Sequence, residues 1–347
     1  MPESPPATNT LGRILKYGEK VYGLCSDLRE VKDGRLKPRI PAGRAALGYL
    51  MLMLARLGSL NALEQRKAPP LWARWLGGPL PSADVMGNVA TTLQLGQLRA
   101  LTRQQHRRLK RNKGFGRGRN GFRYLILDGH EGVSSYRRTW KECLARVVHF
   151  AKGDRTQYYF RYVGGYLTNG KQRLMLDAER QLAGEDEIAC AVRLLNRLLK
   201  EYPRAFDVVC GDALYMNPSL WKLVRKHKKH LIAVLKNENR DLLVDSRGLF
   251  EKANPITFTE KKVCYSCWDL DGFTTWPQCG EAARVVRSME TRIIKRQIDG
   301  EEEVCSSEWF WVTSLPPFLA PTQTIVQAGH GRWALENEGF HELGNQW

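Results

Sequence analysis

Two short runs of strand-forming residues constrain this chain most. "FRYLILD" closes on Asp128 and "VVCGD" closes on Asp212, and each aspartate is followed by a small residue. Apolar runs of this length read as strands buried on both faces, so helices must cover them. The sequence between and after these runs supplies those helices. "GEDEIACAVRLLNRLLKEYP" is amphipathic, with acids in its first turn, where the helix dipole favours them. "NPSLWKLVRKHKKH" offers Asn217 as a cap and Pro218 at the first helical position. "LIAVLK", from Leu231 to Lys236, is a third strand, and Asn169-Gly170 marks a hairpin between two β-rich arms. Residues 122–236 therefore predict a mixed α/β sheet.

The flanks differ in texture. Residues 1–115 predict helices, chiefly from "IPAGRAALGYLMLMLARLGSLNALEQ" and "PSADVMGNVATTLQLGQLRALTRQQHRRLKRNKG". Residues 237–321 carry short β-type pieces such as "ARVVRSME" and "SEWFWVTSL", which reads as a β-rich insertion. Residues 322–347 start a last helix. The longest apolar run, Leu47 to Gly58, is broken by Arg56 and is too short for a bilayer span, so no membrane partner is expected. The N-terminus "MPESPPATNT" has no secretory pattern.

Net charge bears on the class of partner. A formal charge of +18 suits a polyanion, with nucleic acid first, or belongs to a basic enzyme whose charge has no partner. Eight Lys or Arg and no acid lie between Arg103 and Arg119, among them Arg107, Arg108, Lys110 and Arg111. They fit a DNA-contacting linker or a solvated helix face. The GxGxxG at Gly116–Gly121 follows a basic helix and precedes a strand, the reverse of a dinucleotide fingerprint. Lys226 and Lys229 sit in a second basic run with the same two readings. Trp268 and Trp276 can stack on an extruded base or pack internally. Cys264 and Cys267 form a CxxC without a second close pair, leaving a zinc site and ordinary thiols both open. Eight cysteines and no export signal fit a reducing cytoplasm.

Neighbouring strands would bring Asp128 and Asp212 together. Two such carboxylates in a basic chain fit a bridging Mg²⁺, or each aspartate simply opens a turn. Arg332 and Glu336, four apart in "RWALENEGF", are either a surface ion pair or a third carboxylate with a cationic neighbour.

"LILDGHE", "VVCGDALYMNP" and "GRWALENEGFHEL" resemble the three acidic motifs of the DDE transposases of bacterial insertion sequences, in the IS-four-like group. The resemblance spans roughly Leu47 to Trp347. It implies an α/β, ribonuclease-H-like mixed-sheet core with a β-rich insertion, preceded by a helical DNA-binding region. It implies that Asp128, Asp212 and Glu336 bind two Mg²⁺ ions, with Mn²⁺ as a substitute, for DNA strand cleavage and transfer. It assigns Arg332 to a DNA-end phosphate and Tyr215 to the aromatic position after the second aspartate. It also implies double-stranded DNA partners (terminal inverted repeats and target), a DNA-dependent homodimer, and a place in the bacterial cytoplasm or nucleoid. The family's longer signature has a tyrosine where Gly329 stands and a lysine where Leu343 stands. The chain ends 11 residues after Glu336 (347 − 336), short of the family's usual extent, so a C-terminal truncation is expected. Three alternatives remain at this point: a remnant that binds DNA without catalysis, a nuclease of the same fold that never joins ends, and a plain basic nucleic-acid-binding module.

Overall fold

Hydrogen-bond register, more than any single residue, organises this chain, and it is visible in a computed structural model that describes residues 7–65, 70–118, 120–236, 240–295 and 301–340. The chain divides into two units, Met1–Gly116 with Phe340–Trp347, and Arg117–Gly339.

The first unit is helical: α1 (Ala7–Tyr22), α2 (Leu24–Arg29), α3 (Ala42–Leu54), α4 (Leu60–Gln65), α5 (Pro70–Leu76), α6 (Ala83–Thr92) and α7 (Leu95–Arg111). The run expected as one segment from Pro81 to Gly114 is two helices, because Leu93 and Gln94 take extended backbone between them. Leu15, Leu47, Met51, Leu63, Met86 and Val89 form its dry centre. Gly43 is required where α3 passes α2, since a Cβ there would stand 2.2 Å from the Arg29 carbonyl oxygen.

The second unit is built on one large mixed sheet. Its strands are β1 (Tyr124–Ser135), β2 (Leu144–Val148), β3 (Arg155–Thr168), β4 (Arg173–Arg180), β5 (Val208–Gly211), β6 (His230–Val234), β7 (Ile256–Glu260), β8 (Val263–Phe273), β9 (Ala283–Lys295) and β10 (Glu302–Thr313). Their order is β2-β3-β1-β5-β6-β10-β9-β8-β7, with β4 on β3. The centre, β1-β5-β6, is parallel, and everything outward from it is antiparallel.

Two helices make the parallel crossovers possible. In α8 (Glu187–Glu201), Asp186 caps the first turn by accepting from the Ala189 N–H at 2.7 Å. Its buried stripe, Ile188, Ala191, Leu194, Leu195 and Leu198, follows helical spacing. In α9 (Pro218–Lys226), Asn217 accepts from the Ser219 N–H and Trp221 is fully buried.

Two expectations change. β1 does not stop at Asp128 but runs to Ser135, because β3 keeps pairing with it as far as Tyr158. The β-rich segment continues the main sheet, through Trp311–Thr313 on Ile232–Val234, and it opens with a helix, α10 (Asp241–Phe250). α11 (Thr322–Gly331) follows β10, and Leu335–Phe340 is wound as a π-helix.

Candidate active site

The parallel ladder of β1 and β5 pairs Tyr124 with Val208, Leu125 with Val209 and Ile126 with Cys210, an offset of 84 (208 − 124). Carried two residues further, that offset sets Asp128 beside Asp212 (128 + 84). The Asp128 carboxylate accepts the Gly129 N–H at 2.9 Å. Asp212 caps the 3₁₀ turn Ala213–Tyr215 and accepts the Leu214 N–H at 2.8 Å. Burial pushes the Asp128 pKa up to about 6, and the negative charges of Asp212 and Glu187 push it the same way. The Gly129 N–H and the Arg332 guanidinium pull it back down.

In the sequence Glu187 shows only as a dipole-favoured first-turn acid. It is buried in the first turn of α8. The Tyr215 hydroxyl donates to its Oε1 at 3.1 Å, and Arg161 Nη2 stands 2.7 Å from its Oε2 as an ion pair without hydrogen-bond alignment. Two glycines admit this arrangement. A Cβ on Gly129 would lie 2.3 Å from Glu187 Oε2, and one on Gly211 would lie 2.4 Å from Tyr215 Cβ. Each glycine adjoins a site aspartate, and that pairing, "DG" and "GD", is the sequence signal for a crowded neighbour.

Arg332 caps α11 at its C-terminal end. Its Nε is buried with no hydrogen-bond partner, and its guanidinium lies 5.5 Å from the centroid of the Trp333 ring. Its charge reaches β5 as well. Burial raises the Cys210 thiol to about 12, and Arg332 opposes that rise. Gly329 has a local reason to be glycine, because a Cβ there would stand 2.2 Å from the Trp311 indole nitrogen.

The structure thus brings Asp128, Asp212 and Arg332 together and adds Glu187. Glu336 is exposed in the π-helical segment. The change of winding removes the simple four-residue spacing from Arg332 that a continuous α-helix gives. Among the described residues, no three His, Cys, Asp or Glu side chains gather as a metal cage. The aspartate pair itself fits a divalent cation. Two carboxylates are set side by side by the register in a half-buried place, and the proton affinity of Asp128 is raised by burial and by the neighbouring negative charge that a cation would neutralise.

The family model for the transposase DDE domain matches residues 145–347. The chain belongs to that family. Asp212, Arg332 and Glu336 of this DDE domain lie inside the match, and Asp128 lies ahead of it. No curated protein matches the chain. Among solved structures, the cryo-EM structure of the piggyBac transposase synaptic complex with hairpin DNA is similar at 8% identity and a TM-score of 0.39, over 95% of this chain and 68% of that one. The crystal structure of the NurA nuclease from Sulfolobus solfataricus is similar at 11% identity and a TM-score of 0.27, over 60% of this chain and 73% of that one.

Several residues expected on a DNA face of this transposase-family chain are engaged elsewhere. Tyr215 is fully buried and spends its hydroxyl on Glu187. Lys229 is buried because its ammonium donates to the Pro203 and Phe206 carbonyls at 2.9 and 2.6 Å. Arg108 pairs with Asp27 at 2.6 Å and also donates to the Tyr22 carbonyl. Arg107, Lys110, Arg111 and Lys226 are exposed. Trp276 is buried edge-on against Trp221, and Trp268 donates to the Ala253 carbonyl beneath the Arg287 guanidinium. Cys264 is exposed and Cys267 buried, as alternation along β8 requires, so they do not form a zinc pair. Leu343 and Glu342 lie outside the described residues. No helix among the described residues is long and apolar enough to cross a membrane.

Proposed function

We propose that this chain is a transposase of a bacterial insertion sequence, IS-four-like, that cleaves DNA at the element's ends and transfers the strand to a target. In this reading residues 1–115 are a DNA-binding helical region with a basic linker, and residues 122–236 are a ribonuclease-H-like core. Residues 237–321 are its β-rich insertion, and 322–347 begin the glutamate helix. Asp128, Asp212 and Glu336 would hold two Mg²⁺ ions, or Mn²⁺ in their place. The metals, when bound, supply activation of a water or a 3′-hydroxyl and neutralisation of the leaving oxygen.

The protein's own residues do the rest by position and charge. Asp128 and Asp212 fix one side of the scissile phosphate by strand register. Arg332 offers a buried, unspent N–H to a phosphate oxygen of the DNA end. Exposed Arg107, Lys110, Arg111 and Lys226 hold the flanking backbone of double-stranded DNA, the terminal repeats and the target. A DNA-dependent homodimer and a place in the bacterial cytoplasm or nucleoid complete the reading.

The observation that carries it is the neighbouring aspartate pair, with the Arg332 charge acting on Asp128, within a chain of the DDE family. The test is nicking of duplexes that carry the repeats flanking the reading frame, with Mg²⁺ or Mn²⁺ and with Asp212→Ala as control. Divalent-dependent nicking lost in the variant is the expected result. The exposed Glu336 favours a second reading, DNA binding without catalysis. Retained binding with no cleavage under either metal would replace the first reading with the second.

A further inference from the structure

Beyond Asp128 the sheet projects a three-stranded tongue. The far end of β1 pairs with β3 at Ser134–Tyr159 and Ser135–Tyr158, and β2 covers the other edge of β3 from Leu144–Tyr159 to Val148–Arg155. Residues 131–161 hold seven Lys or Arg against three Asp or Glu, a surplus of four (7 − 3).

All three acids are already committed. Glu131 takes both arms of Arg146 at 2.9 Å, Glu142 takes Arg180, and Asp154 stands 2.7 Å from His149. Arg161 is likewise spent, on Glu187. That leaves Arg137, Arg138, Lys141, Lys152 and Arg155, which are all exposed and lack an ion pair among the described residues. The loops that carry them also expose apolar surface. Tyr136 and Phe150 meet edge to face at 5.7 Å, and Arg155 sits 6.0 Å from the Phe150 ring. Phe150 is 46% exposed and Val147 57%. Five unpaired cations beside exposed rings complement a polyanion that presents both phosphates and flat faces.

We propose that this tongue is a DNA-backbone contact surface. Ser135 lies seven residues past Asp128 (135 − 128) on one strand. At a rise of about 3.3 Å per residue the tip stands on the order of 20 Å from the aspartate pair. At 3.4 Å per nucleotide along a strand, that is about six nucleotides from the phosphate held there. The inference rests on DNA being this chain's partner, and it assigns part of the grip to residues outside the basic helical linker.

Fluorescence anisotropy on the full chain, with labelled duplex DNA and no divalent metal, tests it across 50–200 mM NaCl. The triple variant Arg137→Gln/Arg138→Gln/Lys141→Gln should lower the slope of log affinity against log salt by about 2 to 3, at about 0.9 per phosphate released. The control Lys252→Gln/Lys261→Gln/Lys262→Gln removes the same charge from exposed positions elsewhere in the unit and should change the slope by less than 1. An unchanged slope in the tongue variant, while the parent chain binds DNA, overturns the inference. Equal losses in both variants also overturn it, since they report net charge alone. Loss of binding to anionic phospholipid vesicles with an unchanged DNA slope would assign the tongue to a lipid surface instead. If the parent chain binds no DNA at all, the proposed function fails first.

Discussion

The carboxylates of this chain are held in two different ways. Asp128 and Asp212 stand at the end of a parallel ladder, where backbone hydrogen bonds two residues away set their relative position. Glu336 stands on a π-wound segment that follows α11, and its side chain is exposed. A ladder transmits position through several bonds at once, and a one-residue error reverses every side chain. A helix end depends on what packs against it. The strand-borne pair is therefore assembled in the free protein, whereas the helix-borne carboxylate is not gathered with it.

The largest effect should appear in metal binding. Calorimetric titration of Mn²⁺ into the DNA-free chain should lose its heat in Asp128→Ala and in Asp212→Ala, while Glu336→Ala changes affinity by a few-fold at most. Equal loss in all three would put Glu336 on the same footing as the aspartates. Next comes crowding around the pair. Gly211→Ala forces a Cβ against Tyr215 Cβ and should cost about 1–3 kcal/mol in denaturant melts. An unaffected midpoint would mean that the turn after β5 is looser than the register implies.

A third effect depends on pH. Because Asp128 has a folded pKa raised from 3.8 to about 6, its ionisation is harder in the fold than in the unfolded chain. Stability from this group is full below about pH 4, falls between 4 and 6, and stays low above. In metal-free protein, Asp128→Asn should then stabilise at pH 7–8 by on the order of 2 kcal/mol, discounted for partial solvent exposure, and by almost nothing at pH 4. The same gain at both pH values would rule out ionisation as its source. The smallest effect is Tyr215→Phe, which removes the hydroxyl donated to Glu187 and should cost about 1 kcal/mol by thermal unfolding. Glu187→Gln keeps an acceptor for that hydroxyl, so its loss should exceed that of Tyr215→Phe only through Arg161.

Much of the fold's centre was legible in the sequence. The apolar runs before Asp128 and Asp212, the Asn217-Pro218 helix start and the Asn169-Gly170 hairpin are local signals, and local signals survive folding. What was not legible depended on partners distant in sequence. The extension of β1 to Ser135 follows from β3, some 25 residues later, and nothing in residues 129–135 announces it. Burial of Lys229 depends on two carbonyls across the fold, which turn a basic run's last member inward. Glu187 looked like any first-turn acid because its partners, Tyr215 and Arg161, come from two other elements.

The β1–β5 register also sorts this chain's length changes into harmless and ruinous ones. Between Asp128 and Val208 the loops are free to gain or lose residues, as surface loops generally are, but β3, β4 and α8, which pack the sheet, are not. The four steps from Tyr124 to Asp128 and from Val208 to Asp212 are not, since one inserted residue in either would aim its carboxylate at the opposite face of the sheet. For anyone grafting a tag or a reporter into this chain, the hairpin tip at Asn169–Gln172 is permissive ground, and those two four-step counts are the distances to leave untouched.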